Sequence, residues 1–101
     1  MSNADLLGKT AIVTGASLGI GRATAIALGR SGANVVVNYH SHSQAAEEVV
    51  QAVRAAGAQA IQVQADVSDQ AAVERLVAEA VAQFGAVDIA ISNAAYSERE
   101  S

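Results

Sequence analysis

The chain has 101 residues, of which 51% are hydrophobic and 16% charged, with a formal net charge of −4. That balance excludes a disordered chain and leaves room for one domain with one modest core. The five arginines and one lysine are scattered, so there is no basic stripe of the kind nucleic acid requires. The absence of cysteine excludes a disulfide framework, a thiol nucleophile and a thiolate metal site. Alanine occurs 24 times and aromatics make up only 3% of the chain, which favours closely spaced layers over an aromatic-rich core. The opening Met1-Ser2-Asn3-Ala4-Asp5 has neither the charged start nor the apolar run of a signal peptide. No apolar stretch approaches membrane-spanning length. The expectation is a soluble cytoplasmic protein with no membrane or nucleic-acid partner.

Two periodicities alternate along the chain. Residues 10–14 (TAIVT) form a short apolar run read as a strand. Residues 20–31 follow with a helical stripe of Ile20, Ala23, Ala27 and Leu28. Residues 34–38 (NVVVN) predict a buried strand, and residues 44–56 a helix with Ala46, Val49, Val50 and Val53 on one face. A third strand is expected over 60–63. The clearest helix spans 69–84, where Val73, Leu76, Val77, Ala80, Val81 and Phe84 fall at i, i+3, i+4, i+7, i+8 and i+11. Residues 87–92 complete the series as a fourth strand.

The punctuation agrees with these elements. Gly32-Ala33, Gly57-Ala58 and Gly85-Ala86 follow the three helices, as expected where a left-handed residue ends a helix. Ser41-His42-Ser43-Gln44 matches a capping box for the second helix. Ser68 and Asp69 suit the start of the third.

A βαβαβαβ order implies parallel strands joined by right-handed crossovers. Continuous apolar strands such as Val35-Val36-Val37 imply burial on both faces. The predicted fold is α/β: a Rossmann-type parallel sheet with helices on both faces, truncated after the fourth strand. Residues 1–101 would form the N-terminal part of a longer domain. Val87, Ile89 and Ile91 would otherwise leave an apolar sheet edge that natural folds cover.

The turn between the first strand and first helix is glycine-rich: Thr14-Gly15-Ala16-Ser17-Leu18-Gly19-Ile20-Gly21. Such a turn brings backbone N–H groups close to a pyrophosphate, and the helix N-terminus adds partial positive charge. The spacing is G-x-x-x-G-x-G rather than G-x-G-x-x-G. A tight strand–helix turn without a ligand would also use glycine, but the strand–helix context favours phosphate binding.

Thr14-Gly15-x-x-x-Gly19-Ile20-Gly21 resembles the cofactor motif of the short-chain dehydrogenases/reductases. Asp66-Val67 is similar to that family's adenine-contacting pair, and Ser92-Asn93-Ala94-Ala95 to its Asn-Asn-Ala-Gly motif. The three motifs follow the right strands in the right order. Within the family, Val37-Asn38-Tyr39-His40-Ser41 is most similar to the glucose 1-dehydrogenases and the 3-oxoacyl-[acyl-carrier-protein] reductases. The resemblance implies that Gly15, Gly19 and Gly21 shape the loop, with Ser17 and Ile20 near the phosphates and Leu18 also among the cofactor-binding positions. It implies that Asp66 accepts from the adenine amino group next to the Val67 backbone, and that Asn93 and Ala94 line the adenine ribose, with Ala95 also among the cofactor-binding positions. Asp66 is also a natural turn residue at a helix approach. Ser92 stands where the family has asparagine, and Ala95 where it has glycine. If position 95 needs a positive φ, alanine there costs about 1 kcal/mol or more; if not, the change is neutral.

An acid at the end of the second strand would select NAD by holding the ribose 2′-hydroxyl. Here the segment reads Asn38-Tyr39-His40-Ser41, with no acid. The arginines that often favour NADP in the family, at the Leu18 position or just after the second strand, are also absent. Asn38, Ser41 and His40 offer hydrogen bonds to a 2′-phosphate, so NADP or dual use is favoured over NAD alone. His40 and His42 also read simply as solvated loop residues, and their spacing without other ligands makes no metal site.

The family's chemistry uses a serine and a Tyr-x-x-x-Lys pair, in which the lysine stabilises a phenolate that acts as general acid/base. The only lysine, Lys9, precedes the first strand, and four residues after Tyr39 and Tyr96 stand Ser43 and Glu100. No catalytic residue is therefore assigned. The expected function is the cofactor-binding half of an NAD(P)(H)-dependent oxidoreductase acting on a carbonyl or alcohol, inactive alone and homo-oligomeric when complete. The alternative is a non-catalytic dinucleotide-binding module or degenerate short protein. A methyltransferase of similar architecture would call for an acid where Asn38 stands.

Overall fold

The computed structural model describes residues 5–93. Seven elements follow in chain order: β1 (Thr10–Val13), α1 (Gly19–Arg30), β2 (Asn34–Tyr39), α2 (Ser43–Ala55), β3 (Ala60–Gln64), α3 (Gln70–Phe84) and β4 (Ile89–Ile91). The strands form one sheet in the order β3-β2-β1-β4, and all three pairings are parallel. The predicted Rossmann-type topology is therefore observed. The chain runs outward from β1 to β3 and then returns to place β4 on the other side of β1. The order therefore reverses between β1 and β4, and open α/β sheets leave a crevice at the carboxyl end of such a point.

Each face of the sheet carries its own core, because side chains alternate along a strand. Val13, Val35 and Val37 pack with Ala25, Ala46, Val49, Val50 and Val53 beneath α1 and α2. Ile12, Val36 and Val63 pack with Leu76 and Ala80 beneath α3. The predicted inward face of α2 is correct: Ala46, Val49, Val50 and Val53 are all buried.

The predicted stripe of α1 is corrected. Its buried residues are Gly21, Ala25 and Gly29. Ile20 is 76% exposed, Ala23 and Ala27 are exposed, and Leu28 is half-buried. The helix turns its least bulky side inward because it lies too close to its neighbours for larger groups. A Cβ at Gly29 would lie 2.7 Å from Val53 Cγ1 on α2. We predict that Gly29→Ala destabilises the fold by about 1–3 kcal/mol through overpacking. Val53→Ala in the same chain should return part of that loss in urea denaturation.

The stripe of α3 is corrected in part. Leu76 and Ala80 are buried, whereas Val77 and Val81 are 41% and 44% exposed. The helix packs over β1, β2 and β3 and not over β4, so only a narrow face is covered. The three glycines after the helices do adopt positive φ, at 99° (Gly32), 99° (Gly57) and 91° (Gly85). The expected capping box is not formed: α2 starts at Ser43, with His42 at its cap and no side-chain cap bond. At α3 the cap is Asp69, whose carboxylate accepts from the Ala71 N–H at 3.1 Å.

Candidate functional site

A cleft of about 1110 Å³ opens at the carboxyl end of the sheet. Its walls are the loop after β1, the ends of β2 and β3 and the segments after them, the first turns of α3, and Ser92-Asn93 after β4.

The glycine-rich loop forms one wall. Gly15 and Gly19 have φ of 61° and 60°, values that side chains with a Cβ rarely tolerate. Leu18 caps α1 without a side-chain oxygen. The N–H groups of the first turn are thus left uncapped by any side chain, at the positive end of the helix dipole. Gly21 does not itself line the cleft. It is buried behind the loop, where a Cβ would strike the Gly15 carbonyl and Asn93 Nδ2. Its role is close approach, so the loop can fold down on the helix.

Thr14 and Asn93 fasten the loop to β4. The Asn93 N–H donates to Thr14 Oγ1 at 2.8 Å, and Asn93 Nδ2 donates to the Gly15 carbonyl at 3.4 Å. The Thr14 N–H donates to the Ile91 carbonyl at 3.0 Å.

Asp66 lies on the opposite wall and is exposed. One of its oxygens accepts from both Ser68 Oγ at 2.7 Å and the Ser68 N–H at 3.0 Å. Ser68 therefore secures Asp66 and does not cap α3. Its hydroxyl bond chiefly holds the Asp66 carboxyl below the usual aspartate value; the Ser68 N–H acts in the same direction, desolvation opposes both, and the nearby His40 adds a smaller lowering. Because the folded-state value is lowered, the Ser68–Asp66 turn contributes fully above the ordinary aspartate range. That contribution is lost as pH falls through the lowered value. In Ser68→Ala the Asp66 titration, followed by carboxyl carbon NMR, should move up towards the ordinary value.

The structure brings Gly15, Ser17, Leu18, Gly19, Ile20, Asn38, His40, Ser41, Asp66, Val67 and Asn93 to this one cleft. Tyr39 is placed elsewhere: alternation turns it to the opposite face from Asn38, against the α1–α2 core. Ala94 and Ala95 lie outside the described residues, as does Tyr96. Sequence reasoning missed Val73 and Leu76 as cleft walls, since a helical stripe alone does not say which turn faces a site. It also missed Ser68 as the partner of Asp66; the Asp-x-Ser spacing was the available signal. Among the described residues, no three His, Cys, Asp or Glu side chains gather to hold a metal ion, and no helix is long and apolar enough to cross a membrane.

The fold and the cleft define a Rossmann-type protein with a glycine-rich loop at the carboxyl end of its sheet. The family profile described as short chain dehydrogenase matches residues 9–101, and the chain belongs to that family. Versicolorin reductase 1 of Aspergillus parasiticus is 54% identical over 92 residues, covering 91% of this chain and 35% of the reductase. Glucose 1-dehydrogenase 2 of Bacillus subtilis is 42% identical over 97 residues, covering 96% and 38% respectively. Among solved structures, a hydroxysteroid dehydrogenase from Escherichia coli superposes with a TM-score of 0.84 at 38% identity, over 92% of this chain and 39% of that one. The chain thus spans little more than a third of the length of these relatives.

The family binds NAD or NADP, and the residues present fit such a group. The loop has the close backbone approach, left-handed glycines and uncapped N–H groups that a diphosphate needs. Ser17, Asp66 and the Asn93 region supply polar edges around an apolar wall of Val73 and Leu76.

Proposed function

We propose that this chain supplies the cofactor-binding half of an NAD(P)(H)-dependent oxidoreductase, corresponding to the N-terminal part of a longer domain. The supporting observation is the convergence of the glycine loop, the α1 N-terminus, Asp66 and Asn93 on one cleft. In this reading the loop N–H groups hold the diphosphate. Asp66, kept ionised and oriented by Ser68, accepts from the adenine amino group, and Asn93 borders the ribose. A bound nicotinamide cofactor would supply hydride transfer to or from a carbonyl or alcohol carbon. Residues 1–101 contain no Tyr-x-x-x-Lys pair to move the accompanying proton; in this reading they bind the cofactor and do not turn it over.

NADP or dual use is favoured over NAD alone. No carboxylate stands at the end of β2 to repel a 2′-phosphate, and His40 and Ser41 line the cleft there. Titrating the chain with NADPH and NADH, followed by dihydronicotinamide fluorescence, tests the reading. Binding of both, with NADPH at least as tight, is expected; binding of neither overturns the proposal, and NADH alone overturns the preference. The second reading, a dinucleotide-binding module with no chemistry, draws on the missing Tyr-x-x-x-Lys. Steady hydride transfer by the protein isolated from its source would exclude it.

A further inference from the structure

Asn38 ends the buried part of β2 and is only 2% exposed. Its side-chain oxygen accepts from the Gly15 N–H at 3.2 Å. Its Nδ2 donates towards the carbonyls of Tyr39, Val63 and Ala65, at 3.4, 3.3 and 3.2 Å. Its own backbone carbonyl accepts from the Ala16 N–H at 2.9 Å. An amide offers two hydrogens and one acceptor oxygen, and here both functions are directed to protein backbone. Gly15 and Ala16 of the glycine loop are therefore tied, through one residue, to the ends of β2 and β3. An ionised aspartate has the same shape but no donor, and would face the Val63 and Ala65 carbonyls with negative charge.

We infer that Asn38 is a positioning residue that sets the glycine loop for the cofactor diphosphate and does not itself hold the cofactor. The inference rests on the dinucleotide reading above. A ligand to the 2′-phosphate would control the choice between NADPH and NADH. A clamp on the glycine loop acts on the diphosphate common to both, and so weakens the two alike.

The test uses Asn38→Asp and Asn38→Ala in the full chain, with NADPH and NADH titrations from pH 5.5 to 8 beside the unmodified chain. Amide exchange at Gly15 and Ala16 is measured without cofactor. Both variants should lose about tenfold or more in affinity for each cofactor, with the NADPH-to-NADH ratio unchanged and faster exchange at Gly15. The aspartate variant should recover relative to the unmodified chain as pH falls, because a protonated carboxyl regains a donor; the alanine variant should not. Loss of NADPH affinity with NADH unaffected would overturn the inference in favour of a direct ligand. Unchanged affinities with unchanged exchange would overturn it as well. If the alanine variant does not fold, the pH profile of the aspartate variant decides. If the unmodified chain binds neither cofactor, the dinucleotide reading fails; exchange at Gly15 then decides the clamp by itself, and unchanged exchange in the aspartate variant overturns it.

Discussion

Gly21→Ala is expected to cost about 3 kcal/mol of stability and to reduce dinucleotide affinity below detection. The added Cβ would meet the Gly15 carbonyl and Asn93 Nδ2, both held by other bonds. Gly15 is fixed through its N–H to Asn38. Asn93 is fixed through its N–H to Thr14. The Asn93 amide is the end of a side chain, but the Gly15 carbonyl is backbone, so relief requires the backbone to move. That is the expensive form of overpacking. The loop would have to lift from α1, which separates its N–H groups from the helix N-terminus. Urea denaturation and NADPH titration on the same sample check both parts. A variant with normal affinity and a loss under 1 kcal/mol would show that the loop is more plastic than its contacts indicate.

Leu76→Ala should cost about 2–5 kcal/mol. Leu76 is 2% exposed and the largest fully buried side chain. It fills the core between α3 and the sheet with Ile12, Val36, Val63, Ala65 and Ala80. Two of those neighbours are alanines and two are valines on fixed strands, so the hole has little that can collapse into it. For a fold of this size, a loss in that range is a large share of total stability. Chemical denaturation should show a lower midpoint with the slope preserved. Leu76 also forms part of the cleft wall, so weaker cofactor binding should accompany the loss. Val77→Ala, one position along on the exposed side of α3, is the natural control.

The architecture was legible in the sequence because the two periods alternate cleanly and glycine marks each helix end. The face of α1 was not. Hydrophobicity locates a buried face when burial is limited by the apolar area on offer; α1 is limited by distance, so Gly21, Ala25 and Gly29 go inside and Ile20 stays out. Val77 and Val81 mislead in a different way. They are apolar at helical spacing, yet α3 does not reach over β4. At the cleft, the glycine loop, Asp66 and Asn93 were readable from type and order. Asn38 and Tyr39 were not distinguishable, since neighbouring strand residues differ only in the face they take. One became the buried clamp and the other packed under the helices. Nor could spacing show that Ser68 turns back to Asp66 when Asp69, beside it, takes the cap.

The sheet order has a kinetic meaning. Among the described residues no strand pairs with a neighbour through a short turn; even β1 and β2 match Thr10 with Asn34 across a helix. The pairing of β1 with β4 is more distant still, bridged by a hydrogen bond spanning 78 positions from Thr10 to Asp88. Contacts of such separation form late, because the chain must first give up the entropy of the intervening loop. The cleft has its walls on both sides of that final seam, in the loop after β1 and in Ser92-Asn93 after β4. A molecule gripping both walls would act as a fastener on the last part of the fold to close. It would be felt first as slower unfolding, well before any change in the helices on the far side of the sheet.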